Sequence, residues 1–296
     1  MSVLVVGSIN QDYIVTVARR PAAGETVSGA DFTTAAGGKG GNQAAAAARL
    51  GGDVRLLARL GADVEGQRMR ALLEDSGVDV SAVRAVHGAR TGAAFVTVTP
   101  DGENTIVVAP GANLALSAVD VDGAVHLISA ASVLVLQLEV PVETVTRAAE
   151  LAPADTRVLL NLAPAADVPP LLLERADPLV VNLSEAAFLL DRSIDGVSSA
   201  RTAANDLLRL GPRSVILTLG PDGALLATGG PVEHVSAPEV TVVDSTGAGD
   251  AFVGAVAVRL AEGADLREAV RLGVRAGAGA AASAGARAVP AREDLP

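Results

Sequence analysis

The chain has 296 residues, half of them hydrophobic, with aromatics at 2%, neither Trp nor Cys, and a net charge of −11. The missing Cys excludes disulfides and removes the usual ligands of structural zinc, and His87, His126 and His234 stand far apart in no ligand spacing. The acidic balance, with a pI near 4.7, argues against nucleic-acid and anionic-membrane partners.

Residues 1–7 have no basic segment and read as a buried strand rather than a signal peptide. No run approaches the ~18 apolar residues of a membrane span, so a cytoplasmic protein is expected. The length is near the upper limit of one hydrophobic core, which predicts a single domain over 1–296. Residues 3–6 form an apolar run of strand length. Residues 12–34 carry Pro21 and Gly24 between β-type runs, and helical patterns follow at 42–50 and 65–76. Residues 92–109 alternate, turn at Pro100-Asp101-Gly102 and resume, a hairpin with a turn mechanism. Apolar runs at 133–138, 158–162, 179–183 and 215–219 then alternate with helical patterns at 142–151, 185–191 and 200–210. Two Ala/Gly-rich helices, 248–261 and 266–284, close the chain. Continuous apolar strands separated by helices predict a mostly parallel sheet covered on both faces. Residues 12–34 and 92–109 predict a small antiparallel sheet standing off it. Such a sheet needs a partner face: a ligand, a second subunit or both.

The strongest chemical signal is Val242-Val243-Asp244-Ser245-Thr246-Gly247-Ala248-Gly249-Asp250. It reads as a β-type run meeting a Gly-rich turn that opens a helix, and a helix start offers free N–H groups and a positive dipole end to an anion. Asp250 falls in the first helical turn beside that anion site. The dipole alone favours Asp there, and Thr246 suits a plain N-cap. Neither role requires two glycines immediately ahead, whereas a base beside an oxyanion site suits phosphoryl or acyl transfer. The second signal, Gly37-Gly38-Lys39-Gly40-Gly41-Asn42-Gln43, surrounds one Lys with glycines before a helix. It has neither the spacing of a phosphate-binding P-loop nor that of a dinucleotide fingerprint. It fits a small polar ligand with Lys39 and Asn42 as donors, or a flexible turn with a surface Lys. Weaker signals share one property: each follows an apolar strand. They are Asn10 and Asp12 after 3–6, Glu139 after 133–138, 182–185 with Ser184 as a possible helix cap, and 218–223 as a possible β-turn. Several polar strand ends converging on one crevice mark a ligand site.

The two Gly-rich segments together resemble the two signatures of the ribokinase-like sugar kinase family. The likeness continues through Gly7-Ser8-Ile9-Asn10, 21–27, Gly102-Glu103-Asn104, Pro110-Gly111-Ala112-Asn113, Gln137-Leu138-Glu139, 182–185 and 218–223. The resemblance implies an α/β fold: a three-layer α/β/α domain with a mostly parallel central sheet plus a small β-sheet lid of about 12–34 and 92–109. It also implies a homodimer through the lid. The implied reaction is ATP-dependent, Mg2+-assisted phosphorylation of a sugar. D-ribose is the first acceptor to expect, and another sugar or a nucleoside is the alternative. By similarity, Asn10, Asp12, Gly38, Lys39, Asn42 and Glu139 hold the sugar, and Asp250 contacts it as the general base. Asn182, Thr218, Gly220, Gly223 and Gly249 border ATP, and Glu185 organises magnesium and phosphate. Gly247, Ala248 and Gly249 form an anion hole. The resemblance further implies an activating K+ beside that hole, with Asp244 and Thr246 as its first ligands and Ala280, Ser283, Gly285 and Ala288 as the rest. Residues 285–290 are slightly fewer than in relatives, and Ala288 stands where Ser is common. A non-catalytic sugar-binding protein is opposed by the intact Asp250 with its glycines, and a Rossmann oxidoreductase by the missing dinucleotide fingerprint.

Overall fold

The computed structural model describes residues 2–100, 104–283, 285 and 287–296. The elements are β1 (Ser2–Val6), β2 (Asn10–Val17), β3 (Gly29–Gly37), α1 (Lys39–Arg49), β4 (Asp53–Gly61), α2 (Val64–Asp75), β5 (Val83–Val86), β6 (Gly92–Val98) and β7 (Asn104–Ala109). They continue with α3 (Ala118–Gly123), α4 (Val125–Ala130), β8 (Val133–Leu136), α5 (Val142–Leu151), β9 (Arg157–Asn161), α6 (Pro170–Arg175), β10 (Ala176–Asn182), α7 (Leu183–Leu190), α8 (Gly196–Leu208) and β11 (Val215–Thr218). Last come β12 (Ala224–Ala227), β13 (Glu233–Val235), α9 (Ala248–Ala261) and α10 (Leu266–Ala281).

Nine strands form the main sheet in the order β13-β12-β11-β10-β9-β8-β1-β4-β5. Every neighbouring pair is parallel except β11–β12 and β12–β13, which are antiparallel at one edge. Alternation along each strand sends its side chains to two different cores. Val3, Val5, Leu159, Val180 and Ile216 pack with α1, α2, α9 and α10, whereas Leu4, Val6, Leu160, Val181 and Leu217 pack with α3 to α8. This is the three-layer α/β/α architecture. No helix among the described residues is long and apolar enough to cross a membrane.

β4 is a strand that periodicity alone does not show, because Arg55 and Arg59 interrupt its apolar run. Each Arg reaches outward to a carboxylate, Arg55 to Asp79 and Arg59 to Asp120. β8 stops at Leu136, two residues short of the expected end, where the Leu138 N–H turns away to the Ala163 carbonyl. α10 stops at Ala281 rather than 284.

The lid is a four-stranded sheet in the order β3-β2-β6-β7. It is not wholly antiparallel as expected, since its central pair β2–β6 runs parallel. The two strands are joined by a long excursion through β3, α1, β4, α2 and β5 rather than by a hairpin. The expected turn at Pro100-Asp101-Gly102 lies partly outside the described residues.

α9 is apolar all round and buried along nearly its whole length, which suits a helix at the centre of its layer. Two glycines let its neighbours approach. A Cβ on Gly254 would stand 2.8 Å from the Gln43 carbonyl oxygen of α1, and one on Gly273 would stand 2.8 Å from the Phe252 ring. The close α1–α9 crossing brings the starts of the two helices together at the carboxyl ends of β1, β9 and β10.

Candidate active site

Val242 and Val243 are not the expected β-type run. Both are exposed, and residues 242–247 are a strap tied to the end of α10 by Val243 N–H and Asp244 N–H, which donate to the Ala281 carbonyl at 2.8 and 3.2 Å. Gly247 N-caps α9 in the left-handed region (φ 78), a conformation that costs other residues. Gly249 has open space where a Cβ would stand. The start of α9 therefore presents its backbone to a cavity with no side chain in the way. The cavity is about 190 Å³ and is lined by Lys39, Asn161, Asn182, Glu185, Thr218, Gly249 and Asp250, among others.

Asp250 is 9% exposed at this helix start. Its Oδ2 accepts from Asn42 Nδ2 at 3.0 Å and its Oδ1 from Gln43 Nε2 at 2.9 Å. Two neutral amides thus fix the carboxylate without neutralising it, and each oxygen keeps a lone pair for a further proton. Asn42 and Gln43 come from the first turn of α1, which the Gly-rich loop delivers. That loop is a close-packed corner and not a flexible turn. Gly38 has φ 84 and would place a Cβ 2.6 Å from Asn10 N, and a Cβ on Gly40 would lie 2.6 Å from Ser8 N.

Glu139 reaches the same corner. Its Oε2 accepts from Ser8 Oγ at 2.5 Å and from Lys39 N–H at 2.9 Å, so it caps the start of α1. Asn10 accepts from Asn113 Nδ2 at 2.7 Å, and Asn113 Oδ1 in turn accepts from Ile9 N–H. Asp12 shares a lid face with Asn10. Burial raises its pKa to about 6, Glu139 and Asp250 add to the rise, and Arg287 opposes it. Burial disfavours the charge on Lys39, but Asp250, Glu139 and Glu185 together raise its pKa above the ordinary value, so it stays protonated.

On the other side of the cavity Asn182 and Glu185 form a capping box, with Glu185 N–H donating to Asn182 Oδ1 and Asn182 N–H to Glu185 Oε2. The cap of α7 is therefore Asn182 and not Ser184. Burial raises the pKa of Glu185, opposed by the Asn182 N–H and by Lys39. Thr218 lines the cavity, but Gly220 and Gly223 do not. They belong to a single 3-10 turn joining β11 to β12, with positive φ at both, and a Cβ on Gly223 would strike the Val235 carbonyl oxygen at 2.1 Å.

A model for the pfkB family of carbohydrate kinases matches residues 1–293. The chain belongs to that family. It is 36% identical to the ribokinase of Staphylococcus aureus over 99% of its length and 98% of that protein's. It is 35% identical to a deoxyribokinase of Salmonella typhi over 93% of this chain and 90% of that one. Its fold superposes on the structure of Arabidopsis thaliana ribokinase complexed with ribose and ATP at a TM-score of 0.92, with 33% identity, covering 99% of this chain and 96% of the other.

In this kinase the residues expected around a monovalent cation fall on the strap, at the end of α10 and in the segment that follows it. Asp244 Oδ1 accepts from Thr246 N–H at 2.9 Å and its Oδ2 from Gly285 N–H at 3.1 Å. Burial would raise the Asp244 pKa, yet these bonds carry it below the usual carboxylate value. The Ala280 carbonyl accepts from Ser283 N–H, and the Gly285 carbonyl from Ala288 N–H. The candidate ligands described here are oxygens, one pair of them a carboxylate's, a chemistry that suits a hard cation of low charge, although each already accepts from a backbone N–H. Among the described residues no group of three or more His, Cys, Asp or Glu side chains is placed to hold a metal ion.

Three side chains of the kinase site escape sequence reasoning. Gln43 joins Asp250 to Asn161, its Nε2 lying 3.0 Å from Asn161 Oδ1. Asn161 is the polar last residue of β9, a strand-end signal hidden inside an apolar run. Arg287 has no sequence signal at all. Its Nε donates to Asn42 Oδ1 at 3.0 Å and its Nη2 to the Gly37 carbonyl at 3.3 Å. Burial lowers its pKa to about 10 although Asp12 and Asp250 oppose the fall, so it remains charged at neutral pH.

Proposed function

We propose that this kinase transfers the γ-phosphoryl group of ATP to a hydroxyl of D-ribose, giving ribose 5-phosphate and ADP. The observation that carries the reading is Asp250, an amide-fixed carboxylate in the first turn of a helix whose bare glycine start faces the cavity. Asp250 takes the hydroxyl proton as the new O–P bond forms and the bond to ADP breaks. The N–H groups of Gly247 and Gly249 receive the charge that develops on the phosphoryl oxygens; the Ala248 N–H, also expected there, donates to the Ser245 carbonyl at 3.2 Å and must leave it to join them. Lys39, kept protonated between Asp250 and Glu185, supplies positive charge beside them. Asn10, Asp12, Gly38, Lys39, Asn42 and Glu139 orient the sugar, while Asn182, Thr218 and Gly249 border the nucleotide and Gly220 and Gly223 shape the turn that follows Thr218. Glu185 faces the phosphates, where bound Mg2+ would supply charge neutralisation. Asp244 with the carbonyls of Thr246, Ala280, Ser283, Gly285 and Ala288 would hold K+, which would order the strap leading into the anion hole. The ribokinase relatives support ribose, and the deoxyribokinase marks 2-deoxyribose as the nearest competitor.

The test is one panel of acceptors at fixed ATP and magnesium: D-ribose, 2-deoxy-D-ribose, D-fructose and nucleosides, each in K+ and in a bulky organic cation. D-ribose should have the highest kcat/KM, and K+ should raise it. Faster turnover of nucleosides or hexoses would overturn the acceptor, and equal rates in both cations would overturn the potassium site.

The lid's outer face supports a homodimer. Asp12 pairs in register with Ala94, so the Tyr13–Phe95 pair beside it faces away from the site. Tyr13 stacks on Phe32 and Phe95 at 6.2 and 5.4 Å between ring centroids, placing three of the chain's five aromatics on that face. Phe32, Phe95 and Val107 are 61%, 51% and 65% exposed. A β surface this apolar needs a cover. Light scattering at micromolar concentration should report twice the 29.5 kDa chain mass, and Phe95→Lys should return it to the monomer. A monomeric wild-type protein would refute the dimer.

A further inference from the structure

Beside Gly37, at the sugar-facing corner, Asp12 Oδ1, an acceptor, and Arg287 Nη1, a donor, are buried with no hydrogen-bond partner among the described residues. Buried polar atoms of native proteins nearly always have partners, and the exceptions call for a missing ligand or water. The rest of the Arg287 guanidinium is committed, with Nε on Asn42 Oδ1 and Nη2 on the Gly37 carbonyl. Its plane and the direction of Nη1 are therefore set before any ligand arrives. Asp12 is set from the other side. A Cβ on Gly37 would stand 2.1 Å from Asp12 Oδ1, so the carboxylate packs against the very residue whose carbonyl Arg287 grips. Donor and acceptor flank one peptide without bonding to each other.

We infer that Arg287 is a sugar-recognition residue of this kinase, its Nη1–H donating to a ring hydroxyl whose own proton is accepted by Asp12. A hydroxyl both accepts and donates, so a polyol can serve an orphaned donor and an orphaned acceptor alike. The alternative ligand for an arginine, an anionic sugar, is disfavoured by local charge. Arg287 lies in the fields of Asp12 and Asp250, and Asp12 also feels Glu139. A carboxylate or phosphate on the substrate would meet three negative side chains against a guanidinium already shared. The structure thus assigns Arg287 to a neutral polyol. Because the fork of Arg287 also supports Asn42, and Asn42 supports Asp250, the residue couples sugar occupancy to the placement of the base.

The inference rests on the reading of this site as a sugar site, and the experiment separates the two. Wild-type protein, Arg287→Met and Arg287→Lys are assayed with D-ribose, 2-deoxy-D-ribose, 3-deoxy-D-ribose and 1,4-anhydro-D-ribitol, the last three each lacking one ring hydroxyl. Melting temperatures confirm that the variants fold. Losing a hydrogen bond from a charged donor should raise KM for D-ribose roughly 10- to 100-fold in Arg287→Met. For the one analogue that lacks the gripped hydroxyl, the same substitution should change KM less than about 3-fold. Arg287→Lys keeps the charge and should fold like wild type. Without the planar fork it should still show the raised KM for D-ribose. Any kcat loss through Asn42 should be common to all four sugars and leave that contrast intact. If Arg287→Met raises KM by one factor for all four sugars, or Arg287→Lys matches wild type, the assignment of Arg287 falls while the sugar site stands. If wild-type protein phosphorylates none of the four, both fall.

Discussion

Asp250→Asn should lower kcat by at least about 100-fold and by as much as 10⁴-fold, while ATP binding stays the same or tightens slightly. General-base catalysis contributes about 10²–10⁴ in rate, or roughly 3–5 kcal/mol of barrier. The substitution removes the base and a negative charge beside the phosphates, and that lost repulsion is why nucleotide affinity should not fall. Its structural cost is small for a specific reason. The new amide brings a donor against Asn42 Nδ2 and Gln43 Nε2, both of which now donate to the carboxylate. Gln43 Oε1 has no partner among the described residues, so a flip of the Gln43 amide can accept from the new donor at the expense of its bond to Asn161. One exchanged hydrogen bond is worth about 1 kcal/mol. The alternative role, a carboxylate that merely complements the α9 dipole, predicts a loss of about 0.3–1 kcal/mol in stability with turnover intact. Measuring kcat and Tm on the same preparation separates the two, and near-wild-type turnover would remove Asp250 from catalysis.

Where the sequence is legible, one local rule acts without competition. α9 occupies 248–261 as read, because the Gly-rich turn stops just ahead of a long apolar run that suits a central helix. The three-layer fold follows from strands apolar on both faces, and it survives errors of two residues at strand ends such as β8. Legibility fails where a long-range contact decides. β4 hides behind Arg55 and Arg59 because their partners Asp79 and Asp120 are distant in sequence. Val242 and Val243 at the head of the strap have the composition of a strand, yet the N–H groups of Val243 and Asp244 go to the end of α10 instead of a sheet edge. Glu139 and Glu185 were readable as polar strand ends, but that each also caps a helix start depends on which helix arrives beside it. Arg287 is the extreme case. It stands 245 residues from Asn42 in a short Ala-rich segment, and only the folded corner shows that its side chain turns inward.

Gly38→Ala should destabilise the protein by about 2–5 kcal/mol and raise KM for the sugar. Two costs combine there. At φ 84 the backbone lies where a side chain costs roughly 1–2 kcal/mol. The added methyl would also meet Asn10 N at 2.6 Å, Ile9 Cα at 2.8 Å and the Ile9 carbonyl carbon at 2.9 Å. All three are backbone atoms, so no rotamer change relieves the clash, and overpacking of that kind costs about 1–3 kcal/mol. At about 2–4 °C per kcal/mol for a domain approaching this size, Tm should fall by roughly 4–20 °C. Relief has one direction, since β2 begins at Asn10 and must move away from the loop. That movement carries Asn10 off Asn113 and Asp12 off its seat against Gly37, which is why sugar affinity should fall with stability. Gly51→Ala is the control, because Gly51 has φ 94 but open space around its Cβ position. It carries the conformational cost alone and should lose only about 1–2 kcal/mol with KM unchanged. If Gly38→Ala and Gly51→Ala lose the same stability and neither changes KM, the close approach between the Gly-rich loop and the first residues of β2 is not what holds the sugar side of the site in place.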